Sequence, residues 1–156
     1  MRCFIALIAA LFLSITADAQ IHVNLNFNVV SQPIWGPAGY DYVEYYYLPD
    51  IEVYYNITKH RFIYFEKGRW ITKSSLPSRY RSYDLYNSYK VVVNEKEPYK
   101  NHQMYKEKYS SYKSRHDQQP IRDSHDTKYF VNKKHPEHKN WVKQQKQGKG
   151  KGKGNN

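Results

Sequence analysis

One cysteine, Cys3, is present in 156 residues. A disulfide scaffold and a multi-cysteine zinc site are therefore excluded. Acid is scarce: 14 Asp and Glu stand against 25 Lys and Arg, a formal net charge of +11. Long apolar runs are missing after Thr16, so no later segment is apolar enough to span a membrane, which takes about 20 residues. The nucleophile-elbow pattern Gly-x-Ser-x-Gly is absent. The C-terminal glycines neither follow a strand nor open a helix, which excludes a phosphate-binding loop.

What the chain does have is tyrosine. All 17 fall between Tyr40 and Tyr129. So many aromatics argue against a wholly disordered chain. The length suits one domain.

The start reads as a secretory signal. Arg2 supplies positive charge, Cys3 to Thr16 form an apolar run, and Ala17-Asp18-Ala19 supplies the small-x-small pattern before Gln20. Cleavage after Ala19 is expected, placing the protein in the periplasm or outside the cell. No cysteine follows that point, so a thiol nucleophile and redox chemistry are excluded.

Charge is uneven. Residues 20–100 carry 10 basic and 8 acidic side chains, whereas residues 101–156 carry 14 and 5. The stretch from Gln144 to Asn156 alternates Lys and Gly and has nothing apolar to bury, so it is expected to be disordered.

Between these ends lie strand signals. Ile21 to Val29 alternate apolar and polar. Two prolines and two glycines between Gln32 and Gly39 then exclude regular structure. The runs Asp41–Leu48, Ile51–Asn56, Arg61–Glu66 and Arg69–Lys73 are aromatic and β-branched, with separators short enough for hairpins. Pairing Leu48 with Ile51, Asn56 with Arg61 and Glu66 with Arg69 divides the side chains. One face takes Glu44, Tyr46, Leu48, Ile51, Val53, Tyr55, Phe62, Tyr64 and Ile71. The other takes Val43, Tyr45, Tyr47, Tyr54, Ile63, Phe65 and Trp70. A one-residue slip would exchange the sets. Either both faces are covered, or one is an aromatic surface that contacts something.

Lys90 to Asn94 reads as a further strand. Pro98 suits the first turn of a helix from about Tyr99 to Tyr112, with His102, Tyr105, Tyr109 and Tyr112 on one face. The expected fold class is α+β: a small antiparallel β-meander of about four to five strands, one C-terminal helix packed on it, and a disordered basic tail. The expected organisation is a signal peptide at 1–19, a strand and Pro/Gly linker at 20–39, the tyrosine-rich domain at 40–130 and the basic tail at 131–156.

The run from Trp35 through Ile51 (Trp-Gly-Pro-Ala-Gly-Tyr-Asp-Tyr-Val-Glu-Tyr-Tyr-Tyr-Leu-Pro-Asp-Ile) is the most distinctive. With Tyr54-Tyr55-Asn56, Phe62 to Phe65, Gly68-Arg69-Trp70 and Leu76-Pro77, it resembles a family of small exported tyrosine-rich proteins of Gram-negative bacteria. The resemblance covers roughly Gln32 to Phe130 and implies the meander and export. It names no activity and carries over no catalytic or binding residue.

Catalytic and metal constellations are weak. His135-Pro136-Glu137-His138 sets two histidines three apart, interrupted by proline. Glu44, Glu52 and Glu66 fall on strands, and a paired Glu44 and Glu66 in a deep cleft would suit glycoside hydrolysis. A solvated surface or a cross-strand ion pair is the commoner fate of such residues. No cofactor or metal is expected.

Two functions remain. The first is a non-enzymatic envelope module contacting a glycan or protein through aromatic surface, with Tyr45, Tyr47, Tyr54, Tyr64 and Trp70 as candidates. The alternative is binding of an anionic polymer (acidic glycan, lipopolysaccharide or nucleic acid) by the basic C-terminal third, including Lys149, Lys151 and Lys153.

Overall fold

The computed structural model describes residues 28–150, with side chains described to residue 147. The expected signal peptide, most of the Ile21–Val29 strand, Lys151 and Lys153 lie outside the described residues, as does the side chain of Lys149.

The fold is α+β. Five strands, β1 (Tyr45–Leu48), β2 (Val53–Asn56), β3 (Arg61–Glu66), β4 (Arg69–Lys73) and β5 (Val91–Val93), form one antiparallel sheet. Its order is β4-β3-β2-β1-β5, a four-strand meander with β5 added beside β1. Two helices follow, α1 (His102–Lys108) and α2 (His138–Gly150).

Turn chemistry explains the register. Lys67 and Gly68 hold φ of 50° and 76°, the paired positive values of a tight two-residue hairpin, so Glu66 opposes Arg69 as expected. The first hairpin differs. Leu48 opposes Val53 rather than Ile51, because Glu52 takes a φ of 56° and its N–H donates to the Leu48 carbonyl at 2.9 Å. The loop lengthens from two residues to four. An even change preserves parity, so the face division survives.

One face packs Tyr46, Leu48, Ile51, Val53, Tyr55, Phe62 and Tyr64. The other packs Tyr45, Tyr47, Tyr54, Ile63, Val91 and Val93 under Tyr105 of α1. Val43 is the exception and joins the Tyr46 face. It precedes β1, where the Asn28 side chain replaces a neighbouring strand: Asn28 Oδ1 accepts from Val43 N–H at 3.0 Å, and Asn28 Nδ2 donates to Val43 O at 2.5 Å.

Both sheet faces are covered. The expected helix from Tyr99 to Tyr112 is α1, tightened to 3-10 geometry over Pro98–Asn101 before it and Ser110–Tyr112 after it. Trp35 and the half-buried Leu76, Tyr80, Tyr83 and Leu85 close the opposite face.

Two domain boundaries move. The Pro/Gly stretch is not a linker: its backbone runs beside Gln119–Arg122, with Ile121 N–H on Gly36 O and Arg122 N–H on Ile34 O, both at 2.8 Å. A small third core of Val29, Ile121 and Tyr129 forms there. Gly36 must be glycine, since a β-carbon would lie 2.8 Å from Cε2 of the Tyr46 ring. Ordered chain also passes residue 130. Asn132 is buried and donates to Gln32 O at 2.8 Å, and buried His135 donates through Nε2 to Ile121 O at 3.1 Å. These long-range partners hold a segment whose composition alone reads as unfolded.

Candidate functional site: a tyrosine groove and an acidic cavity

The sheet tyrosines proposed as a contact surface are core residues. Tyr47 and Tyr54 have no exposure, and Tyr45 and Tyr64 have 8 % and 6 %. The stripe on α1 covers Tyr45, Tyr47 and Tyr54, with Tyr105 6.1 Å from Tyr47 and 6.0 Å from Tyr54 between ring centroids, while Tyr64 is buried on the opposite face. Burial raises the Tyr47 and Tyr54 hydroxyls well above the usual phenol range. Trp70 is half-buried, edge-on to Phe65 at 5.4 Å and to His102 at 5.1 Å. No continuous aromatic surface can be built from these five.

Aromatic surface is available elsewhere. Two adjoining cavities of about 460 and 300 Å³ share Tyr40 and Tyr89, and the smaller is also lined by Tyr109 and Tyr112. Tyr89 and Tyr112 lie 4.8 Å apart. The Arg115 guanidinium sits 4.7 Å from one ring and 4.9 Å from the other, a double cation–π contact, and Asp117 pairs with it. These contacts fix the Tyr89 and Tyr112 rings of the groove. Tyr129 sets its far wall. Its buried hydroxyl accepts from the N–H groups of Gly39 at 2.7 Å and Tyr40 at 3.1 Å, so the Tyr40 backbone is held while its side chain stays 39 % exposed. Asn94, Gln118 and Gln119 supply amides along the same walls.

Tyr109 and Tyr112 belonged to the α1 stripe read from the sequence. Tyr105 is buried against the sheet and Tyr109 still packs on Tyr47 at 6.3 Å, but Tyr109 and Tyr112 are only half-buried, so the end of the stripe emerges at the rim. Tyr40 and Tyr89 carried no periodic signal, and only the tertiary fold brings them together.

A larger cavity, about 660 Å³, opens between the β1–β2 loop and the segment from Arg79 to Ser88. Tyr80 and Tyr83 form walls, with Asp50 and Asp84 among the polar lining groups. The Tyr83 hydroxyl donates to Asp50 Oδ2 at 2.9 Å, and Asp50 Oδ1 accepts from Ser114 N–H at 2.6 Å. Asp84 accepts from the N–H groups of Tyr86 and Asn87 and from the Asn87 side chain, which holds its carboxyl below the usual range. Buried Lys90 lies behind this segment. Its ammonium donates to Leu85 O at 2.8 Å and Tyr86 O at 3.3 Å, and burial pulls its pKa down to about 8.

The other chemistry considered is engaged locally. Glu66 pairs with Arg79 at 2.9 Å, and Glu44 accepts from the Tyr42 hydroxyl at 3.0 Å. Glu52 bridges Lys106 and Lys113 at 2.9 and 3.0 Å, tying the β1–β2 loop to the helical segment. His135 and His138 both serve backbone carbonyls, of Ile121 and Phe130. Among the described residues, no three His, Cys, Asp or Glu converge in a way that could hold a metal ion, and no helix is long and apolar enough to cross a membrane. Comparison with known protein families, curated proteins and solved structures finds no match to this chain.

Proposed function

We propose that the protein is an exported, non-enzymatic envelope module that contacts a glycan through the tyrosine groove. The observation that carries this reading is the groove itself: half-exposed rings of Tyr40, Tyr89, Tyr109 and Tyr112, with Tyr89 and Tyr112 fixed by Arg115, the Tyr40 backbone held by Tyr129, and amides alongside. Flat apolar rings with polar edges suit sugar faces, and amide side chains suit their hydroxyls. Fixed rings lose little conformational freedom on binding. The signal-like segment at residues 1–19 motivates the location.

The test is co-sedimentation with purified cell-wall glycan. Tyr40→Ala removes a ring whose side chain holds nothing else, so stability should stay within about 0.5 kcal/mol. Retention by the glycan should fall about threefold to tenfold, a ring contact's typical worth. Unchanged retention in a folded Tyr40→Ala protein would sink the reading. Recovery of a mature chain that does not begin at Gln20, or that stays in the cytoplasm, would remove its premise.

A second reading has its own observation. Lys139, Lys143 and Lys146 are exposed on α2, next to exposed Lys133 and Lys134. Such a row suits an anionic polymer. Deleting residues 143–156 should lower the salt needed to elute the protein from heparin, and an unchanged elution point would dismiss the basic end as a binding element.

A further inference from the structure

We infer that Tyr89 and Tyr112 form an oxidative modification site, where a peroxide joins the two rings into one dityrosine and so staples a wall of the groove. The inference concerns the rings themselves and stands whether or not the groove takes a glycan. Thiol redox chemistry is closed to the chain after residue 19, which holds no cysteine to intercept an oxidant. Phenol chemistry is not closed to it.

Proximity is the first observation. The two ring centroids lie 4.8 Å apart at 49°, the closest approach of two tyrosine rings among the described residues. That separation is near the short end for aromatic pairs, so the ring edges touch. The Arg115 guanidinium lies on both rings and is itself paired with Asp117, so the pair is held ready for coupling.

Access is the second. Both rings line the 300 Å³ end of the groove and are half-buried, so a small oxidant reaches them and their phenolic protons can pass to water. Tyr47 and Tyr54, almost as close at 4.9 Å, are the contrast. Neither is exposed, and the Tyr47 hydroxyl has no acceptor for its proton. A buried phenol oxidised without losing its proton would become a buried charge, which is costly. Charge favours the groove pair as well: burial raises the Tyr89 pKa, but Arg115 opposes the rise.

The chemistry closes on these two side chains and one hydrogen peroxide. Each phenol gives up one electron and its hydroxyl proton. The two phenoxyl radicals then join through ring carbons ortho to oxygen, and the hydrogens on those carbons move to oxygen and restore both hydroxyls. The peroxide takes both electrons and both protons and leaves as two waters. The new bond ties the residue just before Lys90 and β5 to the 3-10 turn after α1.

The test is photo-oxidation of the full chain, kept dilute, with a ruthenium tris-bipyridine sensitiser and persulfate, itself a peroxide. The monomer is isolated by size, read for dityrosine fluorescence, and cut with trypsin for mass spectrometry. The wild-type monomer should fluoresce and yield one linked pair of peptides, carrying Tyr89 and Tyr112 and two hydrogens lighter than their sum. Tyr89→Phe and Tyr112→Phe keep the ring packing and the contact with Arg115 but remove the phenol. Each should fold normally and lose most of the fluorescence. Tyr109→Phe, whose ring lies 5.7 Å from Tyr112, should keep it. A link mapped to another pair, fluorescence that survives in the Tyr89→Phe and Tyr112→Phe monomers, or a wild-type monomer without dityrosine would each overturn the inference.

Discussion

On one side of the sheet, Tyr46 and Tyr55 are roofed by irregular chain, chiefly Trp35 and the segment from Leu76 to Leu85. On the other, Tyr47 and Tyr54 lie under α1. The two roofs treat phenol groups differently. Beneath the irregular roof, the Tyr46 hydroxyl donates to Gln32 Oε1 at 3.2 Å, and Gln32 is itself held by Asn28 and the Tyr40 carbonyl. Beneath α1, Tyr54 meets Nδ1 of His102 at 3.1 Å, but the Tyr47 hydroxyl is buried without a partner. A helix uses its backbone polar groups on itself and offers one stripe of side chains. Irregular chain can bring an acceptor from any direction. Tyrosine can thus replace aliphatic core on both faces, but only one face is matched group for group.

The largest effect should come from forcing the irregular roof away. Gly36→Ala places a methyl against the Tyr46 ring, and Gly36 cannot retreat because its carbonyl holds Ile121 N–H at 2.8 Å. Denaturant unfolding should show a loss of about 3 kcal/mol, toward the upper end for overpacking. Gly39→Ala is the contrast. Its β-carbon would meet nothing within 4 Å, and only the φ of 99° opposes it, so about 1 kcal/mol should be lost. Equal losses at the two glycines would mean that Trp35 and its loop do not lock the Tyr46 face.

Removing single oxygens sharpens the comparison further. Tyr46→Phe leaves buried Gln32 Oε1 without its donor and should cost about 1–2 kcal/mol. Tyr47→Phe deletes a hydroxyl that has no partner, so stability should stay level or rise by about 0.5 kcal/mol. A Tyr47→Phe loss as large as that at Tyr46 would show that the helix roof supplies a partner after all.

The sheet was legible because its signals are local. Lys67-Gly68 defines a tight turn, and β3 and β4 fall on Arg61–Glu66 and Arg69–Lys73 as the sequence predicts. The face division held even where the β1–β2 loop grew, because parity alone matters to it. The roof was half legible: the His102–Tyr105–Tyr109–Tyr112 spacing announced a helical stripe, but not that Tyr47 and Tyr54 would vanish beneath it. Partnerships across the chain were invisible. Tyr129 reaches back to Gly39 and Tyr40, and Asn132 to Gln32. Those contacts make an apparent linker, through Pro37, Ala38 and Gly39, a wall of the groove and tie the start of an apparent tail to it. The candidate residues misplaced on a surface, Tyr45 to Tyr64, failed for the same reason: aromatic composition does not say what lies on top.

The smallest expected effect lies in acid, and its histidine step belongs to the helix roof alone. His102 contacts Tyr54 through Nδ1 and faces Glu52 Oε2 at 3.5 Å through Nε2, with Trp70 edge-on and Lys106 on the same carboxylate. Burial lowers the His102 pKa, against the opposing pull of Glu52. A depressed histidine means the unfolded chain binds the extra proton first, so stability is lost as pH falls below about 6.5. Burial acts to raise Glu52, but its hydrogen bonds and attraction to Lys106 and Lys113 outweigh that and lower its pKa overall. Its contribution is present above about 4.3 and is lost as pH falls further. Urea midpoints followed by tryptophan emission should therefore decline in two steps. Glu52→Gln should shrink the lower step, to which Asp84 and other carboxylates held below the usual range also contribute. Because the Glu52 charge favours protonated His102, its loss should also deepen the upper step, which still begins at the unfolded histidine's pKa and then runs to lower pH. A wild-type midpoint that stays flat from neutral pH down to 4 would mean that the ties from α1 to the β1–β2 loop add nothing measurable, leaving the Tyr47 face dependent on packing alone.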